Sequence, residues 1–160
     1  MAVEVTALGS KDMYEAAMVR RIALWRVMPH LPDLHTPEED EAYWRTHLLR
    51  EHTVLGALVD SRLAGVIAYG NGWIEQLYVL PDAQGAGIGT TLLSSAMNDM
   101  DDIRLWTFRQ NRRARAFYES HGFSSIEETD GSGNEEREPD MLYHWHRVPE
   151  PVYDPGPAHR

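Results

Sequence analysis

Three glycines within Gln84–Thr90 make this segment the part of the chain with the clearest capacity for chemistry. Apolar residues typical of a strand precede this turn, and an apolar pattern typical of a helix follows it. The first N–H groups of a helix lack partners within the helix, and the helix dipole adds partial positive charge, so the turn can bind a phosphate group. Glycine permits the close approach of phosphate to backbone that a Cβ would block. A plain tight turn is the alternative interpretation, and the spacing fits neither a Walker A loop nor the three-glycine dinucleotide motif.

A second pattern follows further along the chain, after a short apolar segment. It comprises Asn111, Ala114, Phe117, Tyr118, Gly122 and Phe123. The two patterns resemble the Q/R-x-x-G-x-G/A and N-x-x-A-x-x-F-Y-x-x-x-G-F signatures of the GNAT superfamily of N-acetyltransferases. The resemblance covers about Val3 to Val148 and is strongest from Trp73 to Phe123. Two motifs at the expected separation and in the expected order of elements are more specific than either motif alone.

This resemblance implies that the chain binds acetyl-CoA as an acetyl donor. In the family, the glycine turn binds the pyrophosphate, and the backbone of the fourth strand pairs with the pantetheine arm in a manner like strand addition. The cofactor-binding positions implied here are Leu77, Tyr78, Val79, Gln84, Gly85, Ala86, Gly87, Ile88, Gly89, Thr90, Asn111, Arg112, Ala114 and Phe117. No metal is implied, and His144 and His146, which alternate on a late strand, have no apparent third ligand nearby.

Tyr118 is the first catalytic candidate, because the family commonly has an acid at this position. When an amine attacks the thioester, the CoA sulfur leaves as a thiolate, and a phenol that donates a proton or hydrogen bond to it lowers the barrier. A core aromatic beside Phe117 is the alternative interpretation. Asn111 is expected to cap the helix that carries Tyr118, which is by itself a sufficient reason for an asparagine there.

Glu75 is the candidate general base. An acceptor ammonium must lose a proton before it attacks, and a partly buried carboxylate can take that proton directly or through water. Side chains alternate along a strand, so this residue is expected to share one face with Trp73, Leu77 and Val79. In the histone-acetylating branch of the family the base matches the position of Trp73, so this sequence departs from that branch. A solvated strand glutamate is the alternative, and some family members have no dedicated base.

Two charged clusters each have two interpretations. The basic cluster consists of Arg109, Arg112, Arg113 and Arg115. Arg112 or Arg113 either binds the CoA phosphates, since the variable positions before Gly87 are not basic, or belongs to a solvated helix face. The acidic segment 130–140 either covers the acceptor site or faces water, and the second interpretation is favoured because charge runs usually face water. Its part Asn134–Asp140 resembles a segment of one bacterial subgroup of the family, with no role implied.

Composition restricts the possible partners and the location. The 160 residues fit one domain, expected at residues 1–148 and followed by a proline-rich, disordered tail at residues 149–160. The net charge of −10 argues against nucleic acid as a partner, and no apolar run is long enough to span a bilayer. The chain has no cysteine, which excludes disulfides and a thiol nucleophile and is typical of a cytoplasmic protein.

The apolar pattern predicts the elements that position these residues. Strands are predicted over Val3–Leu8, Thr53–Val59, Leu63–Tyr69, Trp73–Leu80, Ile103–Phe108, Phe123–Thr129 and Met141–Val148, and helices over Asp12–Val27, Thr36–Arg50, Gly87–Met100 and Arg112–His121. Strand-helix-strand order implies parallel pairing around Trp73–Phe108, whereas the flanking hairpins imply antiparallel pairing. The predicted class is therefore α/β, a mixed sheet of about seven strands with helices on both faces, as in the GNAT fold.

The function implied is transfer of an acetyl group from acetyl-CoA to an amine by direct attack in a ternary complex. The chain has neither a cysteine nor an obvious activated serine that would form a covalent intermediate. A non-catalytic acyl-CoA-binding sensor is the alternative, and transfer of a longer acyl group or transfer to a hydroxyl also stays open. The fold does not select among small-molecule, peptide and protein amines. A homodimer is common in the family, but the sequence does not fix the oligomeric state.

Overall fold

A computed structural model describes residues 3–149 and 151–157 and contains a mixed seven-stranded sheet. The strands are β1 (Val3–Ala7), β2 (Thr53–Val59), β3 (Arg62–Gly70), β4 (Trp73–Val79), β5 (Asp102–Phe108), β6 (Ser124–Thr129) and β7 (Asp140–His146). The helices are α1 (Met13–Val27), α2 (Pro37–Tyr43), α3 (Leu49–Glu51), α4 (Ile88–Asp99) and α5 (Arg112–Ser120). The strand order is β1-β2-β3-β4-β5-β7-β6, and all neighbours are antiparallel except β4 and β5. The predicted fold class is confirmed.

Helices cover both faces of the sheet because side chains alternate along its central strands. Val66 and Ala68 of β3 point to one face, where α1 and the segment after α2 supply Met13 and Trp44. Ile67 of the same strand packs in a second core, to which α4 and α5 contribute. This period of two along one strand therefore assigns α1 to one layer and the α4–α5 pair to the other.

The predicted helix over Thr36–Arg50 begins as expected but is not one continuous α-helix. The Thr36 hydroxyl accepts a hydrogen bond from the backbone N–H of Glu39 at 3.1 Å, and the Glu39 carboxylate accepts one from the N–H of Thr36 at 3.2 Å. This reciprocal capping box fixes the start of α2. After Tyr43 the chain widens into a π-helical segment, Trp44–Leu48, before α3.

The strands β4 and β5 separate almost as soon as they pair. Their only register pair in the described chain is Trp73 with Arg104, and no further ladder joins the rest of the two strands. The C-terminal part of α1 packs against Tyr78 of β4 and Phe108 of β5 and so bridges the two strands beyond their junction. The sheet therefore has a gap at its centre, at the carboxyl ends of its two parallel strands.

A β-bulge at Glu75 makes the predicted alternation along β4 wrong. Tyr69 pairs with Ile74 and Ala68 pairs with Gln76, so Glu75 is the extra residue between them. Ile74, rather than Trp73, consequently lies in the same core as Leu77 and Val79. Bulges of this kind redirect a side chain, and here the redirected side chain is the candidate base.

The described residues 151–157 of the predicted tail form no helix or strand and are exposed. Residues 1, 2, 150 and 158–160 of the predicted domain and tail lie outside the described part of the chain. Within that part, none of the helices has the length and apolar character needed to cross a membrane.

We expect Gly65→Ala to lower the free energy of unfolding by about 1–3 kcal/mol, because it overpacks the junction of β3 and α4. A Cβ at residue 65 would lie 2.9 Å from Ile88 and 3.1 Å from Leu92, both in the core. Gly70→Ala on the same strand is the matched control, since its Cβ would make ordinary contacts of 3.5 Å or more. Urea denaturation of both variants measures the difference, and equal midpoints would contradict close packing of α4 on Gly65.

Candidate functional site

A cavity of about 940 Å³ occupies the gap between β4 and β5. Its wall is built by the C-terminal parts of β4 and β5, the starts of α4 and α5, one side of α1, and the loop between β6 and β7. Of the residues predicted from the sequence, those in the wall are Glu75, Leu77, Tyr78, Val79, Gln84, Gly85, Gly87, Ile88, Gly89, Thr90, Asn111, Ala114, Phe117 and Tyr118. Ala86 and Arg112 are not in the wall, and Arg113 takes the place expected for Arg112.

The glycine turn leaves an open cradle at the start of α4. Gly85 and Gly87 have φ values of +89° and +77°, a backbone conformation that favours glycine, and a Cβ on either would meet no atom within 4 Å. Gly87 is the N-cap of α4, and its carbonyl accepts the N–H and the hydroxyl of Thr91. The preceding N–H groups of the helix, which have no acceptor within it, belong to residues of the cavity wall.

Gly89 and Gln84 have structural tasks that the motif did not reveal. A Cβ on Gly89 would lie 3.3 Å from the ring of Phe117, so this glycine lets α4 pack closely against α5. The Gln84 side-chain amide donates a hydrogen bond of 3.0 Å to the carbonyl of Val79 and so ties the turn to the end of β4. Both residues line the cavity, but each also holds the cradle in place.

The start of α5 brings one polar cap and one cation to the cavity. Asn111 caps the helix as predicted, since its side-chain oxygen accepts the N–H of Ala114 at 3.2 Å. Arg113 lines the cavity. Two other members of the basic cluster are engaged elsewhere: Arg109 pairs with Glu128 at 3.0 Å, and Arg115 donates to the hydroxyl of Tyr143. The cluster therefore divides, and a single arginine of the four faces the cavity.

Tyr118 is a buried phenol in the cavity wall, only 7% exposed. Its ring packs edge-on against Phe117 and Phe123, with centroid distances of 5.3 Å and 5.5 Å. Burial raises the pKa of Tyr118 above its ordinary value, and the nearby Tyr78 adds to the rise. The phenol therefore stays protonated at neutral pH and is able to act as a donor.

Glu75 lines the cavity from the bulge of β4, and its side chain is 39% exposed. One carboxylate oxygen lies 3.7 Å from Nε2 of His52, a residue that sequence reasoning did not single out. Burial raises the pKa of Tyr43 on α2, and the negative charge of Glu75 raises it further, so Tyr43 lies near the Glu75 carboxylate. The candidate acid and the candidate base thus line one cavity from different elements: Tyr118 from α5 and Glu75 from β4.

The loop between β6 and β7 forms part of the cavity wall, so the interpretation of segment 130–140 as a purely solvated loop is wrong in part. Asn134, Glu136 and Asp140 line the cavity, whereas Glu135 is exposed. The Asn134 side chain accepts from the N–H of Glu138 and donates to that residue's carbonyl and to the Asp140 carboxylate. Gly131 is required at the crossing point, since any Cβ there would overlap the backbone of Glu138.

Two histidine–glutamate pairs join this loop to the connection between α1 and α2. Nε2 of His30 lies 3.1 Å from Oε1 of Glu138, and Nε2 of His35 lies 2.6 Å from Oε1 of Glu135. The hydrogen bond to Glu135 raises the pKa of His35. The partners are more than ninety residues apart in sequence, so no local pattern could have predicted that the segment reaches the cavity.

The remaining charged residue that the sequence did not indicate is Arg20 of α1, which also lines the cavity. Of the two histidines that alternate on β7, His144 is paired with a carboxylate: its Nε2 lies 3.0 Å from an Asp102 side-chain oxygen. Across residues 3–149 and 151–157, no group of three or more histidine, aspartate or glutamate side chains is placed to hold a metal ion.

Comparison with known proteins places this geometry in one family. Residues 19–123 match the family described as "Acetyltransferase (GNAT) family". An uncharacterized N-acetyltransferase of Archaeoglobus fulgidus is 33% identical over 98 residues, covering 51% of this chain and 66% of that protein. A mycothiol acetyltransferase of Beutenbergia cavernae is 37% identical over 76 residues, covering 44% of this chain and 26% of that protein. This chain spans less than two thirds of the length of each of these curated relatives.

Solved structures share the fold over nearly the whole chain. The PaiA N-acetyltransferase from Thermoplasma acidophilum, crystallised in complex with coenzyme A, has a TM-score of 0.68 and 26% identity, covering 91% of this chain and 99% of that one. Because the family match spans more than half of the residues, this chain belongs to the acetyltransferase (GNAT) family. The resemblance stated from the two motifs is confirmed.

We expect Asn134→Ala to loosen the β6–β7 loop, because it removes three hydrogen bonds within the loop, each with a net contribution of about 1 kcal/mol. Hydrogen exchange of the Glu138 amide, which donates to Asn134, should accelerate by at least about tenfold. Arg137→Ala, an exposed change on the same loop, is the control and should leave that exchange rate unaltered. An unchanged rate in Asn134→Ala would show that the loop is held by other contacts.

Proposed function

We propose that this protein transfers the acetyl group of acetyl-CoA to an amine by direct attack in a ternary complex. The single observation that supports the proposal most strongly is that Tyr118, Glu75 and the glycine turn line the same cavity. The family membership supplies the reaction class, and the cavity supplies a donor, an acceptor of protons and an anion cradle in one place. A sensor that only binds acyl-CoA would need the cradle but not the two proton-transfer groups.

Three features of the cavity wall are suited to binding acetyl-CoA. The cradle at Gly85 and Gly87 is open where a Cβ would intrude, and the first N–H groups of α4 are available to phosphate oxygens. The unpaired stretches of β4 and β5 leave backbone groups for an extended arm to pair with. Arg113, the arginine of α5 that lines the cavity, replaces Arg112 as our candidate for balancing phosphate charge.

The chemistry follows from the two proton-transfer groups. When bound, acetyl-CoA supplies an activated thioester carbonyl. Glu75 accepts a proton from the acceptor ammonium, directly or through water, and the freed amine forms a C–N bond to the carbonyl carbon. Tyr118 donates its phenolic proton to the sulfur as the C–S bond breaks, since burial keeps the phenol protonated until that step. The resulting tyrosinate takes up the second proton of the attacking nitrogen, which leaves a neutral amide, free CoA thiol and a protonated Tyr118. Catalysis otherwise rests on holding donor and acceptor together in the cavity.

The acceptor is expected to be a polar amine, either a small molecule or an exposed peptide amine. The side of the cavity formed by α1, the bulge of β4 and the β6–β7 loop contributes the charged side chains Arg20, Glu75 and Glu136. A hydrophobic acceptor would leave these groups without partners, which costs binding energy. Release of free thiol with a panel of candidate amines tests which acceptor class is used.

We expect Tyr118→Phe to lower kcat at least about tenfold, because it removes the proton donor to the leaving sulfur while keeping the ring. The affinity for acetyl-CoA, measured by calorimetry, should change little. Tyr14→Phe on the exposed surface of α1 is the matched control and should keep full activity. An unchanged kcat in Tyr118→Phe would remove this residue from the mechanism.

We expect Gly87→Val to abolish acetyl-CoA binding in the same calorimetric assay, because the side chain enters the space assigned to phosphate. Part of any loss comes from backbone strain of about 1–3 kcal/mol at a positive φ. Gly72→Val separates the two effects, since Gly72 has a φ of +84° and is not in the cavity wall. Tight CoA binding by Gly87→Val, or equal loss in both variants, would contradict the cradle assignment.

A further inference from the structure

His52 is a buried, ionisable side chain that the proposed mechanism leaves unused. It lies between α3 and β2, and its side chain is only 7% exposed. Its ring packs beside Gly70 on β3, where a Cβ would already lie 3.5 Å from the ring carbon Cδ2. A histidine is rarely enclosed to this degree without a partner for its polar atoms, so the environment of its two nitrogens needs an explanation.

The two ring nitrogens have different surroundings. Nδ1 is fully buried and has no hydrogen-bond partner. Nε2 faces the Glu75 carboxylate at 3.7 Å. A proton on Nδ1 would be a buried donor with no acceptor, which costs more than a buried lone pair, so the ring proton belongs on Nε2. In that tautomer the ring presents an N–H to the carboxylate.

Glu75 needs such a partner because of the bulge. As the extra residue of β4, it stands between two ladder pairs. With 39% of its side chain exposed, its carboxylate has room to rotate. Among the residues that the structure describes, His52 is the only basic side chain within 4 Å of that carboxylate. At 3.7 Å this contact is longer than a hydrogen bond, so the positioning role requires the carboxylate to rotate toward the ring.

We propose that His52 is a positioning residue that holds Glu75 in the orientation needed to accept a proton from the acceptor amine. Its Nε2–H binds one carboxylate oxygen and leaves the other oxygen for the ammonium in the cavity. The inference rests on the proposed function, because it assigns a partner to the proposed base. It requires no proton transfer by His52 itself.

The test uses two polar substitutions of His52 that differ in where they place an amide N–H. In His52→Gln the amide nitrogen takes the place of Nε2 and still reaches Glu75, whereas in His52→Asn it takes the place of Nδ1 and does not. We expect His52→Gln to keep kcat within about twofold of the wild type and His52→Asn to lose about tenfold, with little change in the KM for acetyl-CoA. His146→Gln, exposed at the end of β7 and outside the cavity wall, is the control and should keep full activity.

A double-mutant cycle with Glu75→Gln distinguishes positioning from a structural role. If His52 acts through Glu75, then Glu75→Gln lowers kcat about tenfold or more, and adding His52→Asn lowers it by no more than about twofold further. If the two losses multiply, or if His52→Gln and His52→Asn lose kcat equally, the positioning role is wrong. Full activity in Glu75→Gln would also overturn the positioning role of His52. That result would leave the acetyl-transfer proposal intact, provided that the wild-type protein still releases free thiol from acetyl-CoA with an acceptor amine.

A measurement on the wild-type protein covers the case in which a variant fails to fold or no acceptor amine is turned over. The ¹⁵N chemical shifts of the His52 imidazole report which nitrogen carries the proton. We expect the Nε2–H tautomer near neutral pH, with the Nε2 resonance moving in Glu75→Gln and staying in place in His146→Gln, which changes an exposed residue of β7. A proton on Nδ1, or an Nε2 resonance indifferent to Glu75, would overturn the inference without bearing on acetyl transfer.

Discussion

The early separation of two parallel strands is the constraint on which the rest of the structure depends. After Trp73 and Arg104, the strands β4 and β5 share no further register pair, so the centre of the sheet holds a gap rather than a ladder. Backbone groups that face such a gap need partners, from water or from a ligand with its own donors and acceptors. An extended amide-containing arm would satisfy that need, which is the physical basis of the proposed binding cleft.

Each neighbouring element gives the cleft a different chemical character. The start of α4 offers N–H groups and the open cradle of Gly85 and Gly87, which suits an anion. The α5 layer contributes a buried phenol, and the opposite side contributes the carboxylate of Glu75 with His52 behind it. A phenol and a carboxylate in such different surroundings are suited to opposite proton-transfer roles, because burial favours the neutral form and exposure favours the charged one.

Local sequence patterns predicted the sheet and the Asn111 cap of α5, because alternation and capping depend on neighbouring residues, and most of the site residues they indicated line the cavity. They missed features that depend on contacts between distant segments. Nothing in the residues around Glu75 indicates a bulge, since the bulge is set by its register with β3. The choice of Arg113 over Arg112 depends on how α5 is rotated against β4 and β5, and one residue of helix turns a side chain by about 100°. The inward position of Asn134 depends on a loop that Gly131 and Glu138 close.

A crystal structure of the protein grown with excess coenzyme A is the decisive test of the proposed binding cleft. We expect the pantetheine arm between β4 and β5, the pyrophosphate on the first N–H groups of α4, and the sulfur within hydrogen-bond distance of the Tyr118 hydroxyl. A nucleotide bound elsewhere on the molecule, or an empty cleft at saturating coenzyme A, would contradict it.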